Sequence, residues 1–229
     1  MGDGKNHSAK KTFVTQLLIA TNNKGKIEEL QALLNGMDIE LVTPAQINLE
    51  LDVIEDGLTY AENAAKKALA FAKTSNLISL ADDSGVEVDA LDGAPGLYSA
   101  RYGSPDGRKL TDAERRKLLI ENLQSHPRPW TARFKATIAV AIPKLRSLTD
   151  SLSDMQEPAP ALQIFEGICE GEIIPEERGT GGFGYDPIFL LHGLRKTMAE
   201  LSMDEKNRLS HRAKAVIKAR EILKKLFTN

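Results

Sequence analysis

Short apolar runs alternate along this chain with stretches whose apolar residues recur every three or four positions, the patterns of strands and of amphipathic helices. Leu17 to Ala20 predicts a strand. Thr21-Asn22-Asn23 then offers capping side chains, and Ile27, Leu30, Leu33 and Leu34 fall on one face of a helix that Gly36 ends. Ile39 to Val42 predicts the next strand, so Thr21 to Lys26 lies at a strand-to-helix turn, the place where open α/β sheets bind ligands. Thr59-Tyr60-Ala61-Glu62 reads as a capping box, followed by Ala61, Ala64, Ala65, Ala68, Leu69 and Ala72 at helical spacing; such small side chains imply close packing. Leu77 to Ala81 predicts a strand that delivers Asp82 and Asp83 into a turn at Gly85.

Thr111 to Glu114 reads as another capping box, opening a helix to about Asn122. Phe134, Ala136, Ile138, Val140 and Ile142 alternate with smaller or more polar neighbours, the period of a strand. The Ser-, Pro- and Asp-containing stretch 145–160 predicts a long hairpin loop leading to a strand over Leu162 to Glu170. Val216, Ile222, Leu223 and Leu226 place an amphipathic helix at the C-terminus. Neither a repeat nor a linker divides the chain, so 16–229 is expected to form a single domain behind a disordered polar tail, 1–15.

Composition narrows the classes. With 229 residues, 41% hydrophobic and 27% charged, the chain can bury a full core, and its formal charge of -2 provides no global positive field for nucleic acid. Cys169 is the single cysteine, which excludes an intrachain disulfide and a thiolate metal cage and favours a reducing cytoplasm. Its longest apolar stretches fall well short of the roughly 18 residues of a membrane span.

Four segments carry polar residues that are costly in a core and unusual on a plain surface. In Thr21-Asn22-Asn23-Lys24-Gly25-Lys26, glycine permits close backbone approach and the following helix N-terminus favours anions. It reads either as a phosphate-binding turn or as an Asn-capped helix start, and it lacks the leading Gly and the Ser or Thr after Lys of a Walker A loop. Ala81-Asp82-Asp83-Ser84-Gly85 sets two adjacent carboxylates at a strand end, where repulsion and lost hydration would be offset by a divalent ion such as magnesium; an Asx-rich turn with solvated aspartates is the other reading. Within Gly179 to Pro187, Phe183 and Tyr185 offer faces for base stacking, worth roughly 1–3 kcal/mol per base, and Asp186 can accept from a sugar or base. The alternative there is a glycine-rich turn over buried aromatics. In Glu205 to Arg212, Lys206 supplies a mobile charge for a polyphosphate while His211 and Arg212 donate to a base or phosphate; the alternative is a solvated helix face opened by a Ser202 to Glu205 capping box.

Taken in order, these segments resemble the inosine triphosphate pyrophosphatase family, also called the Ham1 or RdgB family of non-standard purine triphosphate pyrophosphatases. The matching strings are Ala20 to Lys26, Glu55 to Ala64, Ala81 to Gly103, Gly181 to Phe189 and Ala199 to Arg212, so the likeness runs from about Leu17 to the last helix. An N-terminal extension and the 145–160 stretch depart from the family pattern without overlapping a site string. The resemblance implies an α/β fold, an elongated twisted mixed sheet flanked by helices, with a nucleotide cleft between two lobes, and a homodimer. It also implies that Thr21, Asn22, Asn23, Lys24, Gly25, Lys26 and Lys67 contact phosphates, and that Glu55 and Asp83 bind Mg2+. Asp83 would be the proton acceptor with Ser84 beside it; Phe183, Gly184, Tyr185 and Asp186 would line the nucleoside pocket, joined by Lys206, His211 and Arg212. Glu62 and Asp82 would be additional ligands of the metal or groups that hydrogen-bond its ligands.

On that reading, water beside the magnesium attacks the α-phosphorus, Asp83 helps remove its proton, and Lys24, Lys26 and Lys67 stabilise departing pyrophosphate. Donors from His211, Arg212 or backbone amides satisfy the six-position keto oxygen of hypoxanthine or xanthine but meet the amino group of adenine donor to donor. The expected partner is a small nucleotide, with neither nucleic acid nor membrane. Two rivals are a Maf-like pyrophosphatase acting on pyrimidine or modified nucleotides, which Phe183 to Asp186 and Ser210 to Arg212 oppose, and a non-catalytic nucleotide- or RNA-binding module, for which Glu55, Asp82 and Asp83 are unhelpful.

Overall fold

The computed structural model describes residues 16–104, 110–143 and 161–227. The expected tail, 1–15, and the whole of the expected loop at 145–160 lie outside the described residues. A six-stranded mixed sheet runs in the order β2-β1-β3-β4-β5-β6, with β1 Gln16–Ile19, β2 Glu40–Val42, β3 Ile78–Val88, β4 Trp130–Ile142, β5 Ala161–Ile173 and β6 Phe189–Leu191. β1 pairs in parallel with β2 and β3, and the remaining pairs are antiparallel. The helices are α1 Lys24–Leu34, α2 Tyr60–Ser75, α3 Asp112–Leu123, α4 Met203–Leu209 and α5 His211–Phe227.

Successive side chains of a strand point to opposite faces, and this sheet is covered on both. Leu17, Ile19, Leu80, Ile138 and Val140 pack on α1 and α5, whereas Leu18, Ala20, Ala81, Ala139 and Ala141 pack on α2 through Ala64, Ala68, Phe71 and Ala72. Alanine against alanine is what lets α2 lie close to the sheet. The far halves of β3, β4 and β5 build a further core of Val86, Val88, Trp130, Phe134, Cys169 and Ile173 with Phe189 of β6 and Leu119 and Leu123 of α3. The long strands therefore run between two packing centres, and the cleft lies where they meet.

Capping explains where helices start. Thr111 and Ser202 each complete a capping box with Glu114 and Glu205. Thr59 makes half of one: its hydroxyl accepts from the Glu62 amide, but the Glu62 carboxylate accepts from Leu58 N at 2.8 Å instead of from Thr59. The turn expected at Gly85 is absent. β3 continues through it, pairing Asp82 with Ile138, Asp83 with Thr137 and Gly85 with Lys135. A glycine stands there because a Cβ would collide with the Gly96 carbonyl and the Ser99 hydroxyl, which pack against the strand.

Candidate active site

A cavity of about 680 Å³ opens between the two packing centres and brings all four polar segments together. Its first wall is Thr21 to Lys26, where β1 hands over to α1. Asn23 is the N-cap, its side chain accepting from Lys26 N at 3.1 Å, and Thr21 Oγ accepts from Asn23 N at 3.2 Å. Lys24 and Asn22 are exposed. Lys26 turns inward to Asp82, at 2.7 Å.

Asp82 and Asp83 do not confront one another, as their adjacency suggested. On a strand they must point to opposite faces. The Asp82 side chain is fully buried among Lys26, Arg212 at 3.1 Å and the Ser84 hydroxyl, which donates at 3.1 Å. Burial opposes its ionisation, but Arg212 and Lys26 outweigh it and hold the carboxyl well below the usual carboxylate range. Asp82 thus anchors α1 to α5. Glu62 is exposed and accepts from Leu58 N.

Asp83 faces α2. There Lys67 Nζ lies 3.3 Å from its carboxylate, 2.7 Å from that of Glu55 and 2.9 Å from the Asp82 carbonyl. Burial pushes the Asp83 carboxyl up, against the pull of Lys67. Burial alone would discharge Lys67, but Asp83 and Glu55 reverse the direction and keep it an ammonium. Among the described residues no group of three or more His, Cys, Asp or Glu side chains is arranged to hold a metal. Two converging carboxylates nevertheless suit magnesium, which takes one or two from protein and fills its shell from phosphate and water. Lys67 is the cation they already share.

The opposite wall is Phe183 to Asp186. Phe183 is half-buried, its ring lying where a Cβ on Gly25 would be, with Lys206 and Arg212 at 5.6 and 5.7 Å from the ring centroid. Tyr185 presents less than the sequence suggested: it is 4% exposed in the core, and its hydroxyl donates to the Ser99 carbonyl at 2.9 Å. Asp186 is buried, pairs with Lys206 at 2.6 Å and accepts from Phe183 N at 3.0 Å.

Lys206 is not a mobile charge. It is 5% exposed and locked between Asp186 and Glu29, both at 2.6 Å. Arg212 also grips Glu29, so one buried carboxylate of α1 fixes cations from α4 and α5. His211 stacks on Phe134, centroids 4.7 Å apart and rings 11° from parallel, with Nδ1 buried and unbonded. Burial, reinforced by Arg212, lowers its pKa to about 3, so it is a neutral imidazole.

Glu29, Arg101, Asp112 and Arg115 also line the cavity. None stood out in the sequence. Glu29 had a signal, since it is four residues from Leu33 and next to Leu30 on the inward face of α1, a carboxylate at a core position.

The Ham1 family profile matches residues 17–222, which include every segment lining the cavity. A dITP/XTP pyrophosphatase of Desulforamulus reducens is 45% identical over 213 residues, 93% of this chain and 97% of its own length. This chain belongs to the Ham1 family. Solved Ham1 proteins superpose accordingly: that of Coxiella burnetii with a TM-score of 0.74 at 36% identity, covering 92% of this chain and 99% of its own, and that of Staphylococcus aureus with 0.72 at 34%, covering 91% and 98%. The mixed sheet with helices on both faces is therefore the Ham1 architecture, and the Maf-like alternative is set aside. Ham1 membership extends across both walls of the cavity, from the Thr21 turn through Asp83 to the helix carrying His211 and Arg212.

Proposed function

We propose that this Ham1-family chain is a cytoplasmic enzyme, folded as one catalytic domain from residue 16, that hydrolyses non-standard purine nucleoside triphosphates (ITP, dITP and XTP) to monophosphate and pyrophosphate. One observation carries the reading. A single cavity joins a lysine-lined helix N-terminus, with a buried carboxylate beside it, to the Phe183 ring flanked by the fixed Lys206 and Arg212, with the neutral His211 in the same lining.

Thr21 to Lys26 and Lys67 receive the triphosphate, where backbone amides and ammonium groups offset its charge. Glu55 and Asp83 would hold magnesium, which when bound supplies charge neutralisation and polarises water. Asp83 accepts the proton as the water oxygen bonds to the α-phosphorus and the bond to the bridging oxygen breaks, sending the electron pair to pyrophosphate. A carboxyl raised by burial is the better proton acceptor of the two aspartates; Asp82, held ionised by two cations, is the weaker base. Lys26 and Lys67 stay beside the departing group.

Phe183 stacks on the base. His211, neutral, and Arg212, held by Glu29 and Asp82, present donors that match a six-keto purine and oppose the six-amino group of adenine. The exposed Leu162, Ile164 and Ile168 on the outer face of β5 support a homodimer through this face. Pyrophosphate release from inosine triphosphate, with and without magnesium and against adenosine triphosphate, tests the activity; an inert inosine substrate overturns it. Sedimentation as a monomer at working concentration overturns the dimer.

A further inference from the structure

Gly184, between Phe183 and Tyr185, is held by both of its backbone groups from a helix some seventy residues away in sequence. Its N–H donates to Asp112 Oδ2 at 2.7 Å, and its carbonyl accepts from Arg116 at 2.8 Å. Asp112 and Arg116 sit four apart on α3 and therefore lie on one face. Each is itself fixed. Asp112 opens α3 next to the complete Thr111 capping box and pairs through its other oxygen with Arg115. Arg116 makes a bidentate pair with Glu177 at 2.8 and 2.9 Å. Leu119 and Leu123 bury the same helix in the core around Phe134 and Tyr185.

We infer that Asp112 and Arg116 are positioning residues for nucleoside binding: through the Gly184 peptide they set where the Phe183 ring stands opposite Gly25. The inference rests on the proposed function and deepens it. Asp186, locked on Lys206, accepts from Phe183 N at 3.0 Å and holds one side of the loop. The two bonds from α3 are the side-chain grips on the residue that follows Phe183, and they act on opposite ends of one residue, which fixes both its place and its tilt. Neither group pairs with Asp83 or Lys67, whose side-chain partners are each other and Glu55. Loosening the grip should therefore weaken nucleoside binding and leave the phosphate chemistry intact.

Steady-state hydrolysis of inosine triphosphate by Arg116→Ala, Arg116→Lys and Glu177→Gln tests this, together with product inhibition by inosine monophosphate and by pyrophosphate. For Arg116→Ala, the expected result is a KM raised about tenfold, the scale of one lost charge-assisted hydrogen bond, with kcat within about twofold of wild type. The inhibition constant of the monophosphate should rise in parallel while that of pyrophosphate stays put, a split that simple destabilisation does not produce. Arg116→Lys, which keeps one donor, should recover part of the loss; Glu177→Gln should show a smaller rise. If Arg116→Ala does not fold, the same split is read from the other two variants. An unchanged KM, a fall in kcat alone, or equal weakening of both products overturns the inference. A wild-type protein inert toward inosine triphosphate overturns the proposed function instead, so the two failures are distinguishable.

Discussion

Asp82 and Asp83 are consecutive on β3 and serve opposite faces of the sheet: Asp82 closes a buried cluster with Lys26 and Arg212, and Asp83 faces Lys67 beside Glu55. The same conservative change should therefore give different losses. Asp83→Asn should lower kcat by about 10²–10⁴-fold, the range for a positioned general base, with an unfolding midpoint near that of wild type. Asp82→Asn removes the shared partner of two buried cations and should cost about 3–5 kcal/mol of stability. Turnover and thermal unfolding measured on both variants separate the roles, and equal behaviour would remove the assignment.

The pH dependence follows from the same pair. The Asp83 carboxyl lies above its ordinary 3.8 because of burial, and once protonated it cannot accept a proton. kcat/KM should fall as pH drops through that raised value, and the acid limb should be missing in the residual activity of Asp83→Asn. His211, at about 3, does not titrate between about pH 5 and 8, so KM for the inosine substrate should carry no histidine inflection there. Asp82 governs stability in acid. Its folded pKa is depressed, so its contribution is complete above the unfolded value of 3.8 and is lost only as pH falls below it toward the folded one. Acid unfolding of wild type should steepen below about pH 4, and Asp82→Asn should flatten that slope.

Gly25 supplies a steric prediction. A Cβ on it would collide with the Phe183 ring, so Gly25→Ala should displace the ring from the position it shares with Lys206 and Arg212. Binding of the inosine monophosphate, followed by calorimetry, should weaken by about tenfold, the order expected when one stacking contact is lost. Gly25 also belongs to the turn that receives the phosphates, so pyrophosphate binding should weaken as well. If both ligands bind normally, Phe183 is not the stacking surface.

What the sequence disclosed and what it hid divide along physical lines. Periodicity located the strand at Leu17, the helix at Ile27 to Leu34, the strand at Phe134 to Ile142 and the capping box at Thr111, because each depends on neighbours within a few residues. Gly85 was misread for the opposite reason. Asp-Asp-Ser-Gly has the local chemistry of a turn, and only the cations of α1, α2 and α5 make two aspartates tolerable inside a strand. Lys206 and Tyr185 appeared as free functional groups because burial and the partners Glu29, Asp186 and Ser99 come from distant segments. The grip of Asp112 and Arg116 on Gly184 spans about seventy residues and leaves no local pattern at all.

Glu29 gives the last prediction. It is 4% exposed and pairs with both Lys206 and Arg212, which hold it ionised although burial alone would raise its pKa. Glu29→Gln keeps the shape and removes the charge, leaving two buried cations to share Asp186 and Asp82. Breaking a buried pair from one side typically costs about 3–5 kcal/mol, so the unfolding midpoint should drop. Glu29→Asp restores the charge on a shorter side chain that cannot hold both cations at once, and should recover stability more fully than selectivity between the inosine and adenosine substrates. Both variants are to be measured for unfolding and for the ratio of kcat/KM on the two triphosphates. A Glu29→Gln protein as stable and as selective as wild type would mean that Lys206 and Arg212 are placed by Asp186 and Asp82 alone.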